Sequence, residues 1–131
     1  MKKYILSLAF MVMVVFMISA QTSQKEAVNK PAGKIEAYYF HFNARCVTCM
    51  AVEAEAKADI ESLYPGKATF KAVNLDDASS KTIAERLKVS GQTLLFVKGG
   101  KQINLTKEGF LYAKTNPAKL KSIIKQKVDA L

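Results

Sequence analysis

A chain of 131 residues has room for one small domain and little else. Its 20 basic and 11 acidic residues give a net charge of +9, but the lysines are scattered through the C-terminal third, with no Arg cluster and little aromatic interleaving, so they read as a solvated surface and exclude a nucleic-acid site. Two cysteines in a single Cys-x-x-Cys exclude a disulfide scaffold and put all thiol chemistry in one place.

The first segment runs Met1-Lys2-Lys3, then an apolar stretch from Ile5 to Ile18, then Ser19-Ala20-Gln21. A basic start, a short apolar run and small residues before a cut describe a secretory signal peptide over residues 1–20. The run falls short of the roughly 20 residues that span a bilayer. An uncleaved N-terminal membrane anchor is the competing reading. A lipoprotein signal would need a Cys where Gln21 stands. Cleavage there removes Lys2 and Lys3 and leaves 18 basic against 11 acidic residues, a net charge of +7. The expected location is therefore periplasmic or otherwise extracytoplasmic.

Residues 21–33 are polar, hold Pro31 and Gly33 and show no apolar period, so they read as a flexible tether ahead of one domain over 34–131. Ile35 to Phe42 is short and aromatic-rich, a strand buried on much of both faces. A loop, Asn43-Ala44-Arg45, leads into a helix that begins near Cys46, is rich in Ala and Glu, and stops at Tyr64-Pro65-Gly66-Lys67. Ala68 to Leu75 is a second strand. Asp76 to Ser80 offers N-caps for a helix to about Lys88. Thr93 to Val97 and Gln102 to Leu105 are strands joined by a turn at Lys98-Gly99-Gly100-Lys101. Thr115-Asn116-Pro117 opens a last helix whose stripe is Leu120, Ile123, Ile124, Val128 and Leu131. The order predicts an α/β fold, a four-stranded mixed sheet flanked by three helices.

Cys46 falls where a strand gives way to a helix, so its sulfur faces unpaired backbone N–H groups and the positive end of the helix dipole. Arg45 adds a cation beside it. Both favour the thiolate, which is the attacking species. Cys49, Val52, Ala56, Ile60 and Leu63 follow at steps of three or four, which is one helix face, so Cys49 points to the core. The expected catalytic pair is an exposed, attacking Cys46 and a sheltered, resolving Cys49. Met50 stands where covalent haem attachment would need His. The alternative use of Cys46 and Cys49 is to bind a thiophilic metal. His41 beside the loop reads as a hydrogen-bonded structural residue, and Tyr38 and Tyr39 as core. Thr48 either donates to a sulfur and tunes the thiolate or caps the helix start; both readings stand.

Three stretches resemble the thioredoxin family: Tyr39-Phe40-His41-Phe42-Asn43-Ala44-Arg45-Cys46-Val47-Thr48-Cys49, Val73-Asn74-Leu75-Asp76, and Thr93-Leu94-Leu95-Phe96-Val97-Lys98-Gly99-Gly100. The resemblance runs from Ile35 to about Leu131 and implies a thioredoxin-like fold and disulfide exchange without a cofactor. Its implied partners are exported proteins with thiols or disulfides and a membrane or periplasmic redox protein. The departures are specific. Gln92 occupies the place of the family's cis-proline beside the sulfurs, with a trans peptide expected, and is a third candidate for tuning the thiolate. Phe40 and Ala72 occupy the places of the buried acid and its lysine neighbour. Glu53, one helical turn on, is a stand-in for that acid or simply a solvated helix residue; the solvated reading is favoured. The string from Arg45 to Cys49, with Glu53, also resembles exported thioredoxin-like proteins of Bacteroidetes linked to arsenic resistance (an ArsF-like group), which implies arsenic(III) as a ligand of the thiol pair. No flavin or nicotinamide fingerprint is visible.

Overall fold

A computed structural model of the chain describes residues 33–131; the expected signal peptide and almost all of the expected tether lie outside the described residues. Strand β1 (Ile35–His41) is the centre of the molecule. It pairs in parallel with β2 (Ala68–Asn74) and antiparallel with β3 (Thr93–Lys98), and β3 turns at Gly99-Gly100 into the antiparallel β4 (Lys101–Asn104). Both turn glycines have positive φ, which a side chain would resist. The sheet order is β2-β1-β3-β4.

Alternation along β1 divides the core in two. Ile35, Ala37 and Tyr39 face one layer, with Leu94 and Phe96 of β3 beside them. Tyr38 and Phe40 face the other, with Leu95, Val97 and Val73. Because both faces carry apolar side chains, the strand reads as a continuous aromatic run and not as an alternating one.

Helix α1 (Val47–Leu63) crosses the first face, burying Val52, Ala56 and Ile60 without exposure to solvent. Helix α4 (Pro117–Asp129) packs beside it through Leu120, Ile124 and Val128, with Asn116 as its side-chain cap and Pro117 at its first turn. The two helices are also tied at their C-terminal ends, where the Tyr64 hydroxyl donates to Asp129 at 2.7 Å. The other face is covered by α2 (Lys81–Leu87), which follows a short 3-10 turn at Ala78–Ser80. Lys88 ends α2 in the left-handed region, at φ 58°.

The expected strands and helices form, with ends shifted by a residue or so, but there are four helices among the described residues and not three. The additional one is α3 (Thr106–Tyr112). It is invisible to periodicity because it is only seven residues long, carries a glycine at its centre and begins at Leu105, which has no capping side chain. Its start is stitched to β3 instead. Leu105 N–H donates to the Leu94 carbonyl at 2.9 Å, and Thr106 Oγ1 accepts from Leu94 N–H at 2.9 Å. The Asn104 side chain accepts from Thr106 N–H at 3.0 Å.

Gly109 lets α3 come down onto α1. A Cβ there would meet Val52 Cγ1 at 2.9 Å and Leu94 Cδ2 at 3.3 Å. Both neighbours are fully buried and have nowhere to retreat. Gly109→Ala is expected to destabilise the fold by about 1–3 kcal/mol despite the better helix propensity of Ala. Urea unfolding checks this, and Val52→Ala in the same chain should recover part of the loss.

Candidate redox site

The loop between β1 and α1 is held before the cysteines are reached. Leu75 N–H donates to the His41 carbonyl at 2.7 Å, which continues the β1–β2 pairing past the end of the strands. Asn43 N–H then donates to the Asp76 carboxylate at 2.6 Å, and Asn74 Nδ2 donates to Asn43 Oδ1 at 2.7 Å. Asn74 Oδ1 also accepts from Asp76 N–H at 3.1 Å. The Asn74-x-Asp76 spacing thus has a mechanical purpose: it fixes the loop that presents Cys46.

Cys46 is the N-cap of α1, with extended backbone (φ −88°, ψ 162°). Its Sγ accepts from Cys49 N–H at 3.0 Å, one of the donors that a helix start leaves without an intrahelical partner. The cysteines are joined as a disulfide with their Cα atoms 5.0 Å apart. Cys46 is exposed and Cys49 is only 4% exposed. A sulfur that caps a helix gains most when it is charged, because the hydrogen bond and the dipole both favour an anion. Cys46 being the cap, Thr48 is not; it lies inside the first turn, half-buried.

Arg45 is an ion-pair partner of Glu53, and the two side chains are each only about a quarter exposed, at 26% and 25%. The favoured reading of Glu53 as a solvated helix residue is therefore corrected. Eight residues of separation hide the pair, since Arg45 stands outside the helix and no helical spacing links it to Glu53. Arg45 Nε is buried and has no hydrogen-bond partner.

Gln92 has a trans peptide, as have all the described residues. Its side chain turns to Tyr39, whose hydroxyl accepts from Gln92 Nε2 at 2.6 Å. Tyr39 is wholly buried, and burial pushes its pKa above the ordinary phenol value. The Arg45 cation and the Glu53 anion act on the same hydroxyl in opposite senses. Tyr39, Gln92, Arg45 and Glu53 thus form one polar patch. Phe40, by contrast, is fully buried in the other layer, facing α2, and Ala72 is exposed on β2. His41 donates from Nδ1 to the Phe42 carbonyl at 3.1 Å and stacks on Tyr39.

Around the disulfide the surface is apolar. Val47 is 64% exposed and Met50 49%, and Phe42 also stands out from the loop. Beside Phe42 opens a cavity of about 400 Å³ with Leu75, Ala84 and Val89 as its floor and Asp76, Asp77 and Glu85 on its rim. No group of three or more His, Cys, Asp or Glu side chains suited to a metal ion occurs among the described residues.

One buried acid lies elsewhere. Asp59 of α1 is 5% exposed and its Oδ2 has no partner. Burial pushes its pKa from the ordinary 3.8 up to about 6, with Lys121 opposing and Glu55 adding to the rise. A pKa raised on folding means the folded state binds the proton more tightly than the unfolded chain. The site's stabilising contribution is complete below pH 3.8 and is lost as pH rises through about 6. Asp59→Asn should therefore melt at a higher temperature than the native chain at pH 7.5 and at nearly the same temperature at pH 4. Paired thermal scans at the two pH values check it.

No protein-family model matches this chain, and no curated protein does. Solved structures do. A protein named Trxlp from Edwardsiella tarda superposes with a TM-score of 0.51 at 19% identity, over 70% of this chain and 82% of that one. Thioredoxin from Fasciola hepatica superposes at 0.50 and 20% identity, over 76% and 86%. The architecture is a thioredoxin fold.

Proposed function

Taking the thioredoxin fold as its premise, we propose that the chain is an exported thiol–disulfide oxidoreductase acting on other exported proteins. The observation that carries the reading is the exposed Cys46 sulfur capping α1 while Cys49 sits one turn inward, buried and within bonding reach. In the reducing direction the Cys46 thiolate attacks a client disulfide; a Cys46–client bond forms and one client sulfur leaves with the electron pair. Cys49 then attacks Cys46, the Cys46–Cys49 bond closes and the second client sulfur leaves, so two electrons pass from the pair to the client. The reverse sequence oxidises a client dithiol.

The surface supports protein clients. Val47, Met50 and Phe42 offer apolar contact around the sulfur, and the cavity beside Phe42 has an apolar floor for a neighbouring side chain. Arg45, Gln92 and Thr48 are the residues proposed to tune the thiolate, Arg45 through its charge and Gln92 through its hold on Tyr39.

Cys46→Ser is expected to abolish dithiothreitol-driven insulin reduction, and Cys49→Ser to accumulate a client mixed disulfide visible on non-reducing gels. Full turnover in both variants would sink the reading. The rival use of the pair, capture of arsenic(III) or a soft metal, forecasts the opposite pattern: stoichiometric binding by the reduced protein with negligible insulin reduction.

Export rests on the charge and apolar pattern of residues 1–20. Expressed in full in a bacterial host, the chain should appear in the periplasmic fraction with its N-terminus near Gln21 by mass spectrometry. An intact Met1 in the membrane fraction would point to the anchor instead.

A further inference from the structure

We infer that Glu53 is the group that takes the proton from Cys49 when that residue resolves the mixed disulfide. This rests on the exchange reaction proposed above. Cys49 is 4% exposed, so bulk water has poor access to its thiol at the moment it must become a thiolate. A proton acceptor inside the site is needed, and the position of the family's buried acid is held by Phe40, which faces the opposite layer.

Glu53 has the right place. It follows Cys49 by four residues on α1, a spacing that puts the Cβ atoms roughly 5–6 Å apart on one face of a helix. Helical side chains lean toward the N-terminus of their helix, so that of Glu53 lies over the turn that carries Cys49. The ion pair confirms that direction, because Arg45 stands before the start of the helix. Arg45 is thus the positioning residue, a clamp that holds the carboxylate along the first turns of α1.

Two other titratable groups do not serve. Asp59, although its pKa is raised to about 6, is ten residues further along α1, about 15 Å up the helix axis. Tyr39 keeps its own proton, since burial raises its pKa above that of an ordinary phenol. His41 stacks on Tyr39 and donates from Nδ1 to the Phe42 carbonyl, which leaves Nε2 as the rival acceptor; an unchanged second phase in Glu53→Gln would point to it.

The step balances as follows. In the Cys46–client mixed disulfide, Cys49 passes its thiol proton to a Glu53 carboxylate oxygen. The resulting thiolate attacks Cys46 Sγ, the Cys46–Cys49 bond forms, and the Cys46–client bond breaks. The client sulfur leaves as a thiolate with the bonding pair, and Glu53 returns the proton to it or to water.

Reaction of the reduced protein with Ellman's reagent separates the two halves. The first thionitrobenzoate released reports attack by Cys46, and the second reports resolution by Cys49. Glu53→Gln should leave the first phase within about twofold and slow the second by roughly 10²-fold near pH 6–7, the contribution of a positioned general base. The lost rate should return as pH rises toward thiol titration, and Glu53→Asp should regain part of it at neutral pH. In the native protein the second phase, and not the first, should slow in D2O. A second phase within threefold of native in Glu53→Gln would overturn the assignment. An identical second phase in H2O and D2O would overturn it as well, without relying on any variant's folding. A native protein with no rapid first phase would instead refute the oxidoreductase reading itself.

Discussion

The 3.0 Å bond from Cys49 N–H to Cys46 Sγ is the contact on which the site depends. A helix start always leaves donors in search of an acceptor, and most chains supply an oxygen from Ser, Thr, Asp or Asn. Here a sulfur does that work. The same residue that satisfies the helix is therefore the residue proposed to react, and the structure cannot form α1 in this way without polarising Cys46. Everything upstream serves that placement: the central position of β1, its hydrogen bond across to Leu75, and the Asn43–Asn74–Asp76 network that sets the loop.

Around Tyr39 the chain solves an electrostatic problem with its own parts. Phe40 fills an apolar layer of the central strand, and the charge near Tyr39 comes from the helix and the loop before it. Glu53 carries it, balanced by Arg45, and burial of the pair is limited because each partner keeps about a quarter of its side chain in contact with solvent. Gln92 then uses its amide on Tyr39, which gives a buried hydroxyl a partner.

Much of this is legible in the sequence, and the misses share a cause. The strand run from Ile35 and the 49/52/56/60 spacing reveal the parallel crossover and the inward turn of Cys49, because hydrophobic period is set by local backbone geometry. The parts that stay hidden depend on tertiary partners. Helix α3 is assembled by bonds to Leu94 and by a close approach that Gly109 permits, neither of which has a local signature. Asp59 is one position along from the buried stripe, yet an acid in a helix reads as exposed until the fold places it out of solvent with Lys121 of α4 as its electrostatic neighbour. The Arg45–Glu53 pair links a loop residue to a helix residue at a separation that no regular element repeats.

The seat of Gly109 against Val52 carries a consequence for how the molecule is assembled. With no room for a single extra methyl between them, α3 and the opening turns of α1 are packed as one piece, keyed together like a tongue in a slot. Val52 stands only three residues beyond Cys49. The buried Cys49 and the half-exposed Leu111 thus sit on two elements locked together at a single seam.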